Sequence, residues 1–133
     1  MNPENVRAEF EKAKNALRAA EILQAEGLFE DTISRSYYAV MHAARAALLV
    51  HNAIPKSHAG VRRLFGAVLI RPGLIEAEWA DVLAREQDRR LLADYSLHVL
   101  WEPEASSRLV EDARVFLRRI QEYLVSVGIA LEG

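Results

Sequence analysis

The stretch "SRSYYAVMHAARAALL", Ser34 to Leu49, decides the fold class. It has no glycine or proline, and alanine, the strongest helix former, recurs through it. A helix is therefore expected. At about 100° per residue, Ile33, Tyr37, Val40, Ala44 and Leu48 fall on one side, with Met41 at its edge. That side is the expected core face. Arg35, Tyr38, His42, Arg45 and Leu49 fall on the other. Tyr38 stands three residues after Arg35 and four before His42, so the three stack along the helix axis. A face that mixes aromatic, apolar and cationic groups suits a subunit interface or a ligand cleft. The plainer reading has Tyr38 and Leu49 covering a neighbouring helix, the arginines in water and His42 structural.

The flanks extend the helical pattern. Asn2-Pro3 reads as an N-cap followed by proline at the first helical position. Gly27 closes the first segment, where Val6, Phe10, Ala13, Leu17 and Ala20 form one apolar stripe. Pro55, Pro72-Gly73 and Pro103 mark further breaks. Ser57 can cap a short helix with Val61, Leu64, Phe65 and Val68 on its inner face, and His58 falls in its first turn, where capping is the simplest role. A longer helix is expected from Leu74 to about Tyr95. Pro103 can start the last one, with Val110, Ala113, Leu117, Ile120, Leu124 and Val127 as its stripe, widened by Phe116 and Tyr123. The reading is all-α: an antiparallel up-and-down bundle of four to five helices in a single domain over residues 1–133.

Composition narrows the function classes. The 133 residues carry 51% hydrophobic and 27% charged side chains, enough for a packed core and against disorder. No apolar run reaches the roughly 20 residues that span a bilayer, so no membrane role is expected. A chain without cysteine has no disulfide framework and suits a reducing cytoplasm. The net charge of −2 does not suit a fold that coats nucleic acid non-specifically. Yet 14 of the 17 basic residues are arginine, whose planar fork suits phosphate and carboxylate. The four histidines (His42, His51, His58, His98) lack paired ligand spacing, so neither a metal nor another cofactor is expected.

A second polar group lies in "DRRLLADYSLH", Asp88 to His98. Trp79, Leu83, Arg90, Asp94 and Leu97 share one side of that helix. Arg90 and Asp94, four apart, can form an ion pair facing the packed side. Tyr95 follows directly and can reach an adjacent groove. The plainer reading is a partly exposed intrahelical pair of small energy.

The order of these pieces, with Tyr37-Tyr38-Ala39, Lys56-Ser57-His58 and Arg90 through Asp94-Tyr95 as the most specific, resembles the HEPN superfamily (higher eukaryotes and prokaryotes nucleotide-binding). The likeness is to its small stand-alone prokaryotic branch and covers nearly the whole chain. It implies a homodimeric helical bundle, paired with a minimal nucleotidyltransferase as toxin and antitoxin. It also implies a metal-independent ribonuclease motif, an arginine followed after four to six residues by a histidine near the dimer cleft. In some pairs the nucleotidyltransferase silences the toxin by modifying a tyrosine near that motif, and Tyr95 is the candidate here.

In this chain Arg90 is followed by Asp94-Tyr95, and His98 comes eight residues after Arg90, beyond the motif spacing. The pair with matching spacing, Arg35 and His42, lies on the earlier helix. Three functions stay open. In a ribonuclease, Arg90 would bind phosphate and His42 or His98 would move protons, with Arg35–His42 as a substitute motif. A non-catalytic module would hold a nucleotide, RNA or the partner through Arg35, Tyr38, Arg90, Asp94 and Tyr95. A helical adaptor is the third, blander possibility.

Overall fold

The computed structural model describes residues 1–96 and 103–131, and His98 and Leu97 lie outside them. Among these described residues five α-helices follow in order: α1 Pro3–Ala25, α2 Phe29–Leu49, α3 His58–Leu64, α4 Glu78–Tyr95 and α5 Pro103–Ser126. A π-helical segment, Phe65–Ile70, continues directly from α3. The expected all-α bundle is what forms.

Helix α2 is its centre. Ile33, Tyr37, Val40, Met41, Ala44 and Leu48 are buried as expected, but so are Thr32, Ser36, Ala39, Ala43, Ala46 and Ala47. Burial on nearly every side marks a central helix. Its alanines explain how α1, α4 and α5 all pack on it, because small side chains let helix axes come close. Cross-helix bonds set the directions. His42 meets Glu9, Ser36 meets Glu86, and Arg85 meets Asp112, so α1 and α4 run against α2, and α5 against α4. Leu49, assigned by spacing to the second face, instead packs on the core.

The helix ends follow their local chemistry. The Asn2 side chain accepts from the Glu4 and Asn5 amides, and Pro3 opens α1. Gly27 adopts φ 76°, the left-handed conformation that glycine tolerates without a Cβ penalty, and so releases α1 into the short turn to α2. Ser57 caps α3 by accepting from the Gly60 amide at 2.9 Å.

Three boundaries differ from the sequence expectation. After Leu64 the chain changes to π geometry, which places one more residue in each turn. The fully buried positions become Val61, Phe65 and Leu69, while Leu64 and Val68 pack on the core half-buried. Helix α4 begins at Glu78 and not at Leu74, because Gly73 (φ 81°) makes a turn closed by the Leu74 and Ile75 amides donating to the Leu69 carbonyl. At the other end of the chain, α5 stops at Ser126, leaving Val127 exposed.

A polar cluster around Tyr38 as the candidate functional site

Adjacent tyrosines on α2 serve two surfaces. Tyr37 is buried in the core, and burial pushes its hydroxyl pKa up to about 12 against the opposing charge of Arg90. It therefore stays neutral. Tyr38, turned about 100° from it, is half-buried at the edge of the bundle. Their ring centroids lie 5.6 Å apart.

Arg90 of α4 closes over both rings. Its guanidinium carbon lies 5.5 Å from each centroid, a cation–π arrangement with two faces at once. Arg90 Nη2 donates to the Tyr38 hydroxyl at 3.2 Å. Its Nε lies 2.9 Å from Asp94 Oδ2, one turn along α4. That Nε–H is buried and not aligned with any acceptor among the described residues, so the Asp94 contact is an ion pair without a well-formed hydrogen bond. Asp94 is tied in turn to α2, where Ser34 Oγ donates to Oδ1 at 3.3 Å. The expected Arg90–Asp94 pair thus forms, with Arg90 largely covered (19% of its side chain exposed) and Asp94 at the more open rim.

Two histidines border the same ring. His42 lies one turn further along α2, its ring centroid 6.4 Å from that of Tyr38. Its Nδ1 lies 3.1 Å from Glu9 Oε1 on α1, and Arg45 Nε approaches the same oxygen at 3.3 Å. Burial raises the Glu9 pKa. The hydrogen bond from His42 and the charges of His42, Arg45 and Lys12 outweigh it, and the carboxyl is held below its ordinary value. With a carboxylate on Nδ1, that nitrogen carries the hydrogen, and Nε2 is the nitrogen left to exchange protons. His58 packs against Tyr37 at 5.5 Å and edge-on to Tyr38 at 6.5 Å. Burial, then the charges of Arg90, Arg45 and His42, lower its pKa, so it is held in the neutral form.

Arg35 is exposed and lines an open groove of about 390 Å³ between α1 and α2, together with Lys12, Asn15, Tyr38 and His42. Tyr95 is 78% exposed at the end of α4 and makes no hydrogen bond or ring contact among the described residues. Of the residues singled out from sequence, the structure brings Tyr38, Arg90, Asp94 and His42 together. Arg35 shares the groove, Tyr95 stands apart, and His98 lies outside the described residues. The second face of α2 therefore meets its own chain's α1 and α4.

Two members were missed. His58 was assigned to capping, which Ser57 performs, although its place beside the family-like Lys56-Ser57-His58 piece was a signal. Glu9 carried a signal too: it falls three after Val6 and four before Ala13, a carboxylate set on an apolar stripe. Among the described residues no group of three or more His, Asp or Glu side chains is placed to hold a metal, and no helix is long and apolar enough to cross a membrane.

Residues 6–123 match the HEPN domain family, which spans the first helix through most of the last. The chain belongs to the HEPN family. Relatives of this HEPN chain include a Methanocaldococcus jannaschii protein named as a candidate toxin, 36% identical over 124 residues, 93% of this chain and 92% of the relative. A second candidate toxin of that organism is 29% identical over 120 residues, 90% of this chain and 82% of the relative. A UPF0332 protein of Gloeobacter violaceus is 42% identical over 86 residues, 65% of this chain and 68% of the relative.

Proposed function

We propose that this chain is a toxin-like HEPN protein whose Tyr38 cluster binds single-stranded RNA and cuts it without a metal. In this reading it acts as a single cytoplasmic domain, pairs as a homodimer and is countered by a minimal nucleotidyltransferase, with Tyr95 as the accessible tyrosine for modification. The carrying observation is Arg90, held against two tyrosine rings and Asp94, with two histidines bordering Tyr38. A preorganised cation in a partly dry site stabilises the charge that builds on a phosphate under attack. His42, fixed by Glu9, presents Nε2 as the base. The ribose 2′-oxygen attacks phosphorus, its proton passes to His42 Nε2, the bond from phosphorus to the 5′-oxygen breaks, and water or a second histidine protonates that oxygen. The products are a 2′,3′-cyclic phosphate and a 5′-hydroxyl, so DNA is not a substrate.

One observation favours the non-catalytic module as second reading: Arg90 already spends Nη2 on Tyr38 and faces Asp94, which leaves it a holder of ligand more than a free charge. Chelator-treated protein incubated with a mixed RNA pool separates the two. Cyclic ends that disappear in Arg90→Ala and in His42→Asn support the ribonuclease. Intact RNA that nonetheless binds saturably supports the module.

A further inference from the structure

We propose that the groove between α1 and α2 is a second phosphate subsite, which holds the backbone of single-stranded RNA next to the Arg90 cluster. It rests on the RNA-binding reading above and extends it to residues on α1. The groove exists because of small side chains: Ala16 and Ala19 line it where α1 passes α2, leaving the open volume of about 390 Å³. That volume is within the range of small-ligand sites, about 300–1,000 Å³. Lys12, Asn15 and Ala19 follow one another at steps of three and four, so they form one row along α1. Arg35, Tyr38 and His42 form the facing row on α2.

The lining is cationic and carries no carboxylate. Neither Lys12 nor Arg35 has an acidic group within ion-pair distance among the described residues. Glu9, one turn before Lys12, feels the Lys12 charge from a distance but makes its short contacts with His42 and Arg45. Two cations without a close ion pair and an amide therefore face one concave surface, and an anion with several acceptor oxygens satisfies them together. The groove also shares Tyr38 and His42 with the Arg90 cluster, so a chain of phosphates can pass from one cation set to the other across an aromatic ring. Cationic tracks interrupted by aromatic faces are how single strands are held.

The test is fluorescence anisotropy with a labelled, mixed-sequence oligoribonucleotide bearing 2′-O-methyl riboses, which binds but cannot be cut. The double variant Lys12→Gln/Arg35→Gln is compared with wild type and with Arg71→Gln/Arg118→Gln, which removes the same charge from exposed positions elsewhere. Expected is a rise in Kd of about tenfold or more and a salt dependence flattened by about 1.4, two contacts at about 0.7 each. Arg35→Lys with Lys12 intact should keep most of the affinity. If both double variants behave alike while Arg90→Ala still weakens binding, the subsite is overturned and the Arg90 reading survives. If wild type does not bind the oligonucleotide at tens of micromolar, both are overturned.

Discussion

Two glutamates pack against different sides of α2, and their surroundings are opposites. Glu9 reaches His42 and Arg45 and is held below the ordinary carboxylate pKa. Glu86 of α4 is 0% exposed. Burial, with Asp112 adding to it, pushes its pKa well up, against the hydrogen bond from Ser36 and the charge of Arg85. The hydrogen-bond count points the same way. Ser36 Oγ lies 2.9 Å from Glu86 Oε1 and 2.9 Å from the Leu109 carbonyl oxygen, yet a hydroxyl has one hydrogen. Both contacts are satisfied when a protonated Glu86 donates to Ser36 Oγ and Ser36 donates to Leu109. One carboxyl is thus a neutral part of the core, and the other is an anion that orders a polar edge. Charge alone in the sequence does not separate a structural acid from a site acid; the partner across the helix does.

The largest effect should come from emptying the core position. Glu86→Ala should cost about 2–4 kcal/mol in chemical denaturation, because it leaves a cavity and takes away one of the two hydrogen bonds of Ser36. Glu9→Ala should cost less, about 1–2 kcal/mol, since water can reach the His42 and Arg45 side chains it leaves behind. Equal losses would erase the distinction.

The two conservative variants should bend the pH profile of stability in opposite senses. Glu86 binds its proton more tightly folded than unfolded. Its contribution is therefore full below about pH 4.3, the unfolded value, and drains away as pH rises toward the folded one. Glu86→Gln should keep the fold and gain on wild type as pH rises. Glu9 is depressed when folded, so its contribution is full above about pH 4.3 and is lost as pH falls through the folded value. Glu9→Gln should be less stable than wild type at pH 7, with the gap closing toward pH 3. Parallel profiles for the two variants would contradict the assignment.

The smallest effect is expected at Tyr38. Tyr38→Phe keeps the ring face under Arg90 and removes only the hydroxyl acceptor, about 0.5–1 kcal/mol in stability. A loss of several kcal/mol would place Tyr38 in the core with Tyr37.

What the sequence made legible follows the physics of each signal. Apolar spacing over many turns identified α1, α2 and α5, because burial of a whole stripe dominates a long helix. The expected α3 face packs on the core, but the full burial of Leu69 was not legible, since a switch to π geometry leaves no mark in residue spacing. The Arg90–Asp94 pair was legible because it is local, at four residues apart. Glu9–His42, 33 residues apart, and His58 against Tyr37 needed the packed bundle, as did the partnership of Ser36 with Glu86.

The most direct measurement is a two-dimensional NMR titration of the isotope-labelled protein with a short uncleavable oligoribonucleotide. The account predicts shifts concentrated at Tyr38, His42, His58 and Arg90, with Ser36, Glu86 and Leu109 unmoved. Shifts centred on the Ser36–Glu86 side, or no shifts at saturating RNA, would contradict it.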